Sequence, residues 1–362
     1  MLCLSLRLSL PFSPSFGAPR WALGGAPLAS FRGRPLASLP PFAPLPPLAS
    51  PLSNPNNLSD QLSSFLTSSG AIKLSLCTIR NLLNDQSAQQ ELSATATQVL
   101  GNAHACTLLC ASGMQDVQQF QLTLKCTGPI GGIVSISTGR GEVKGYVGDN
   151  EVEGVGPAAA VGGGTVQVVK SHPEWDRPYN GVTAIVSGDV DRDLAAYMAT
   201  SEQREVALTS AVAMRGLLCV AAGGFLVEKL PGCGGGEMER VEENLRRIGG
   251  EGGDAKGALE RLLLEGKSPE ELAKDILEGV EYGKLEEIEP KPTCHCSEGR
   301  LFRSLTLLPK SELQEILEKE ETVEAKCEFC AKVYRLGPDK VRQAIAENKE
   351  GGVVREEPPP AS

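Results

Sequence analysis

Four cysteines near the C-terminal end constrain this chain more than any other feature. Cys294 and Cys296 stand one residue apart in "TCHCSEGRLF", Cys327 and Cys330 two apart in "AKCEFCAKVY", and thirty residues lie between the pairs. Two tight pairs at this separation supply four soft donors that suit tetrahedral zinc. The intervening segment is poor in apolar residues, and "KSELQEILEKEE" aligns only Leu313, Ile316 and Leu317 on one helical face. A sequence of this kind folds around its metal because it has little other core. The same pairs also suit redox chemistry: zinc holds sulfur as the thiolate, the form that attacks oxidants, and a sulfenic acid is captured by a thiol two or three residues away. The motif alone leaves a closed structural site and a switch both open. His295, flanked by two donors, has its side chain turned away and is not expected to ligate.

The other seven of the eleven cysteines carry less information. Cys77, Cys106, Cys110, Cys126 and Cys219 lie in apolar stretches and read as small buried hydrophobes. Cys106 and Cys110 sit at i, i+4 near His104, a faint metal pattern that core packing explains better. Cys233, in "PGCGGGE", reads as an exposed thiol, and Cys3 belongs to the leader.

That leader is residues 1–59, with four arginines, no acidic residue and abundant Ser, Ala, Leu and Pro. It is too long for a secretory signal, and prolines at 11, 14 and 19 break its apolar runs. An organelle transit peptide fits, to the chloroplast before the mitochondrion. The formal net charge is -10, and without the four arginines the remainder carries −14. This argues against nucleic acid or an anionic membrane as partner, and no run of eighteen apolar residues exists to span a bilayer.

Length points to two or three domains. Residues 60–231 read as an α+β core. "SDQLSSFLTSSG" is expected to open a short helix behind a capping serine. "AQQELSATATQVLGNAHACTLLCASGM" is expected to be one helix with a stripe at Leu92, Ala96, Val99, Leu100 and Ala103. "QFQLTLKC" alternates as a strand does, followed by strand candidates "IVSIS", "EVKGYV", "TVQVVK", "GVTAIVS", "EVALTSAVA" and "GGFLVEKL", with the helix "DRDLAAYMATS" among them. Strands in runs with irregular helices indicate layers, not repeated βαβ units. Residues 232–290 read as a helical linker, since 237–290 hold sixteen acidic and eight basic side chains. "SPEELAKDILEGV" carries a Ser268/Glu271 capping box with Pro269 in the first turn, and "ALERLLLEG" is a second amphipathic helix. Such short helices must dock on something and dock marginally. Residues 291–345 form the cysteine module, and 346–362 read as a disordered tail.

Conventional enzyme sites are missing. "GDVDRD" spaces Asp189, Asp191 and Asp193 like a calcium loop, but Leu194 stands where the loop needs glycine and Thr200 where it needs glutamate. "VGGGTVQ" lacks the lysine of a phosphate loop. Only His104, His172 and His295 exist to serve a triad.

Against these features the chain resembles the redox-regulated holdase chaperones of the heat-shock protein 33 family, the 33 kDa chaperonins. The most specific part is "CHCSEGRLFRSLTLLPKSELQEILEKEETVEAKCEFCAKVYRL"; "FQLTLKCTGPIGGIVSISTGRGEVKGYVGD", "YNGVTAIVSGD", "YMATSEQ" and "AAGGFLVEKLP" resemble its core stretches. The resemblance implies an α+β core, a metastable helical linker and a small C-terminal zinc domain. It implies that Cys294, Cys296, Cys327 and Cys330 bind Zn²⁺ when reduced and form neighbouring disulfides when oxidised. It further implies dimerisation on oxidation and ATP-independent binding of unfolded clients, with no enzymatic activity. Structural zinc contributes about 10–16 kcal/mol, whereas rings of three and four residues closed by disulfides return only about 1.5–2 kcal/mol each. Oxidation is therefore expected to release zinc and unfold residues from about 232 to 340. Two departures stand out: "EPKPT" before the first pair, where relatives carry an aromatic or apolar residue, and the glycine-rich "GCGGGE". Both are expected to loosen the linker. The alternatives from other classes are a constitutive zinc-dependent module that binds RNA, for which basic surface and stacking aromatics are scarce, and a thiol oxidoreductase using Cys327 and Cys330, for which no helix start follows the pair.

Overall fold

Residues 119–147 alternate buried and half-buried side chains, the period-two signature of strands with one wet face, and form β4 (Gln119–Cys126), β5 (Gly132–Thr138) and β6 (Glu142–Val147). In the computed structural model, which describes residues 4–6, 59–231, 235–250, 254–308, 310–319 and 323–347, these strands lie in a six-stranded sheet. Its order is β12-β6-β5-β4-β7-β8, completed by β7 (Gly164–Ser171), β8 (Tyr179–Ile185) and the two-residue β12 (Lys291–Pro292).

A five-stranded sheet is built differently. Its order is β11-β2-β3-β10-β9, from β2 (Gln61–Thr67), β3 (Ile72–Thr78), β9 (Val206–Arg215), β10 (Leu218–Lys229) and β11 (Tyr282–Ile288). β2, β3 and β10 bury nearly every residue, because both faces of this sheet are covered. That corrects the helix expected at "SDQLSSFLTSSG". Two-sided burial erases the alternation by which a strand is recognised, and Ser63, Ser64 and Thr67 are buried along with the apolar residues.

Between the sheets runs α2 (Ala94–Ala111), buried on every side and packed against strands of both. Ser93 caps it, its hydroxyl accepting from the Ala96 amide at 3.1 Å. The single helix expected here is in fact interrupted. α1 (Arg80–Gln90) ends at Glu91 in the left-handed region (φ 57°), and the chain restarts at Ser93. The expected stripe of Leu92, Ala96, Val99, Leu100 and Ala103 is wholly buried. Asp60, remote in sequence, caps α1 by accepting from the Asn81 and Leu82 amides at 3.1 and 2.6 Å. The short α3 (Pro157–Val161) and α4 (Val190–Ser201) complete this layer. The aspartates of "GDVDRD" serve the turn: Asp193 accepts from the amides of Val186, Ser187 and Gly188, and Asp191 from Ser210.

The outer face of the five-stranded sheet is covered by α5 (Gly235–Gly249), α6 (Ala255–Leu264) and α7 (Pro269–Ile276). Both halves of the Ser268/Glu271 capping box form, with Pro269 in the first turn. Leu259, Leu262, Leu263, Leu272, Ile276 and Leu277 meet Phe65, Leu74, Leu76, Phe225 and Val227 of the sheet. Polar ties add to this, Asn244 donating to the carbonyls of Ile276 and Glu278 at 3.0 and 2.9 Å and Lys256 to Asp189 at 3.3 Å. The segment holds more than the two helices read from sequence: α5 was missed, and so was β11, which pairs antiparallel with β2.

The chain then crosses to the other sheet, where β12 pairs parallel with β6. The "EPKPT" departure thus lies in a hydrogen-bonded edge: Lys291 donates to the Gly141 carbonyl at 3.0 Å and Thr293 to that of Val143 at 2.9 Å. Beyond it come α8 (Glu298–Leu305), α9 (Lys310–Lys319), the hairpin of β13 (Val323–Cys327) and β14 (Val333–Leu336), and α10 (Pro338–Glu347). They share a small core of Leu301, Leu305, Leu313, Ala325, Tyr334, Leu336, Val341 and Ala344. β1 (Leu4–Leu6) pairs antiparallel with β13. The rest of the leader, Cys233 and the chain from 348 onward lie outside the described residues, and so does the side chain of Ile316. No helix among the described residues is long and apolar enough to cross a membrane.

Candidate metal and redox site

Each cysteine pair is positioned by local structure made for the purpose. Cys294 and Cys296 lie in the extended segment between β12 and α8, fixed upstream by the Thr293 hydrogen bond and downstream by Ser297, whose hydroxyl caps α8 by accepting from the Arg300 amide at 3.3 Å. Cys327 ends β13, and the chain reverses through 328–331. The Ala331 amide bonds back to the Cys327 carbonyl at 2.8 Å and the Cys327 amide to the Lys332 carbonyl at 2.9 Å. Ala331 takes up φ 53°, a left-handed conformation that glycine adopts without cost.

The four Sγ atoms converge within 4.8 Å of one another, the only such group of three or more candidate ligands among the described residues. Cys294 and Cys327 are 3.7 Å apart and Cys296 and Cys330 3.3 Å. Cys327 is buried and the other three half-buried. Four thiol donors so clustered fit a soft divalent ion, and zinc bound there would ionise and hold them together. His295 is exposed and outside the group.

The thiols are not equivalent. Burial pushes the Cys327 thiol up to about 11, against the opposing pull of the Cys330 and Phe329 amides. Burial likewise raises Cys330, opposed by the Lys332 amide. For Cys296, burial is outweighed by hydrogen bonds, foremost from the Tyr334 hydroxyl, which donates to its sulfur at 3.0 Å, and its thiol lies below the ordinary value. Cys296 is therefore a readier thiolate than Cys327 or Cys330, and the tyrosine is the kind of outer partner that orients a metal ligand.

A family model of the Hsp33 protein matches residues 60–337. The chain belongs to the Hsp33 family. The 33 kDa chaperonin of Clostridioides difficile (strain 630) is 31% identical over 287 residues, covering 77% of this chain and 96% of that protein. The 33 kDa chaperonin of Gloeothece citriformis (strain PCC 7424) is 32% identical over 301 residues, covering 80% and 98%. The crystal structure of the 33 kDa chaperonin from Thermotoga maritima has the same fold, with a TM-score of 0.72 and 24% identity over 80% of this chain and 98% of that one. The Hsp33 family is one of chaperones, not enzymes, and the mixed α+β architecture expected from sequence is the one found.

Cys294, Cys296, Cys327 and Cys330 are thus brought together, as their spacing demanded. The His104, Cys106 and Cys110 pattern is core. His104 lies between Ser135 and Gln86, each at 2.7 Å, while Cys106 is held far above the ordinary thiol range and Cys110 is pushed up to about 12, both chiefly by burial. Sequence reasoning missed Tyr334, Ala331 and Phe329. A tyrosine four residues after Cys330, on the strand that returns past the pair, was the available signal for the first. Only a sequence-visible glycine would have announced the left-handed turn at 331.

Proposed function

We propose that this Hsp33-family chain is an oxidation-activated, ATP-independent holdase. In the reduced protein, Cys294, Cys296, Cys327 and Cys330 hold Zn²⁺, the three-part division into core, linker and zinc module is intact, and clients are not bound. Oxidants such as hypochlorous acid, or peroxide with heat, convert the cysteines to Cys294–Cys296 and Cys327–Cys330 disulfides and release zinc. The module and then the linker unfold, and oxidised chains pair. The reading is supported above all by one arrangement: the apolar outer face of the five-stranded sheet, with Phe65, Leu74, Leu76, Phe225 and Val227, is covered by the same helices that lead to the cysteines. Unfolding α5–α7 uncovers that face and the helices' own leucines together, a continuous apolar surface of the kind that binds unfolded protein. Residues 1–59 deliver the protein to a chloroplast, and a fusion of that segment to a fluorescent protein tests the import.

The deciding experiment follows zinc release and free thiols through an oxidant titration, alongside suppression of citrate synthase aggregation. Client holding is expected to rise as zinc leaves, with mass spectrometry finding the two neighbouring disulfides. Oxidised protein that holds no more client than reduced protein overturns the reading.

A further inference from the structure

The loop between Cys327 and Cys330 does more than present two sulfurs, because its middle residue is seated on the core. The Phe329 ring meets Tyr146 of β6 edge to face, with centroids 5.4 Å apart and planes at 82°. The Lys144 ammonium, two residues back on the same face of β6, lies 5.2 Å from the Phe329 centroid. The amide of Gln90, the last residue of α1, donates to the Phe329 carbonyl at 2.7 Å and to the Gly145 carbonyl at 2.8 Å. Its two hydrogens thus join the metal loop to the core sheet. Gln90 is itself buried, and its backbone carbonyl accepts from the Asn150 side chain at 3.0 Å.

Behind this contact the core is rigid. Gln86 also donates to the Gly145 carbonyl, at 2.9 Å, and its own carbonyl oxygen meets His104 at 2.7 Å. Gly145 is required there, since a Cβ would fall 2.5 Å from the His104 ring and 2.3 Å from the Val134 carbonyl. In front, the contact is open: a cavity of about 200 Å³ lies beside it, lined by Gln90, Tyr146, Asn150, Lys326 and Cys327 among others. A firm seat with a water-accessible margin suits a contact that forms specifically and still separates.

We infer that β6 and the end of α1 form a receptor for this chain's own Cys-x-x-Cys loop, with Phe329 the inserted residue, and that its occupancy raises the affinity of the four-cysteine site for zinc. The coupling follows from placement. Phe329 stands between two of the sulfurs, so the turn that lets four sulfurs converge is the turn that aims its ring and carbonyl at the core. Whatever favours the seated turn favours the closed metal site, and by reciprocity the metal favours the seat. The consequence for activation rests on the oxidation switch proposed above, but the docking and its effect on zinc affinity do not.

The test uses the full chain, zinc-loaded and reduced, as wild type, Phe329→Ala, Tyr146→Ala and the double variant, none of which replaces a ligand. Zinc affinity is measured by competition with a chromogenic chelator, and amide hydrogen exchange is followed over residues 142–147. Each single substitution is expected to weaken zinc binding about two- to ten-fold, the worth of an aromatic pair, and to speed exchange at 142–147. The double variant is expected to lose no more than the weaker-binding single, because the two substitutions remove one shared contact. Unchanged zinc affinity in both singles, or losses that simply multiply in the double variant as general destabilisation would give, overturns the inference. Wild type that binds zinc but never releases it to oxidant defeats the switch and leaves this docking intact; wild type that switches normally while the variants bind zinc like wild type defeats only the docking.

Discussion

At Ala331 a methyl group sits in a conformation that disfavours it. The residue closes the turn after Cys330 with φ 53°, and a left-handed backbone costs a residue bearing a Cβ about 1–2 kcal/mol. Ala331→Gly is therefore expected to tighten zinc binding by up to about ten-fold, read by chelator competition, because the strain is relieved only when the turn is formed. Tyr334 acts in the opposite sense. Its hydroxyl donates to the Cys296 sulfur at 3.0 Å, and outer partners of this sort are worth about 10–100-fold in metal affinity. Tyr334→Phe is expected to weaken zinc binding by an amount in that range and to lower the oxidant dose for half-release. Neither substitution alters a donor, so the Cys-x-Cys and Cys-x-x-Cys spacing that marks the site is untouched. The spacing names the ligands, and their surroundings set how readily the metal leaves.

Among the elements, the linker helices best separate sequence-borne from fold-borne information. The start of α7 was readable to the residue: Ser268, Pro269 and Glu271 signal it, and the capping box forms as expected, although the helix ends at Ile276, short of the full "SPEELAKDILEGV". α6 followed from its apolar spacing. α5 was not recognised, because its long charged run hides a stripe of Met238, Val241, Leu245 and Ile248 that acquires meaning only against the sheet. β11 was missed for a related reason. It is an edge strand with four of its seven residues exposed, and pairing with β2 makes it a strand. This docking predicts a graded response. Leu272 is buried against the sheet, and Leu272→Ala is expected to cost the linker about 2–5 kcal/mol. Limited proteolysis of the reduced, zinc-loaded protein should then cut within 235–290 sooner than in wild type while the core persists. Ser268→Ala, which removes one half of the capping box, should do the same more weakly, at about 1 kcal/mol.

For the whole molecule, the two sheets share one helix, and the stability of the core is therefore tied to what α2 carries. His104 is fully buried there between Gln86 and Ser135. Burial lowers its pKa from 6.5 to about 3, so the native core holds it neutral while the unfolded chain takes up the proton as pH falls below about 6.5. The stability this contributes is complete above about pH 6.5 and is lost progressively as pH falls toward 3. Urea unfolding at pH 7 and pH 5 should show the core weakening with acid by one proton's linkage more than in His104→Gln, where that linkage is removed. The thiols of the module respond in the same direction, since binding zinc displaces the protons held by Cys327 and Cys330. Mild acid is thus expected to loosen both ends of the molecule.

The sequence by itself determined the four donors, the alternating strands β4 to β6 and the capped α7, because each is written in spacing between near neighbours along the chain. Tertiary structure alone decided that 61–67 is a strand, that α1 and α2 break at Glu91, that β11 and β12 join opposite sheets and that Phe329 rests on Tyr146. In each of these the deciding partner is distant in sequence: helices on both faces of β2, the Asn150 carbonyl at Ser93, the edges of β2 and β6, and the end of α1. Local pattern fixes which conformations a segment can adopt cheaply, and burial against remote surface selects among them.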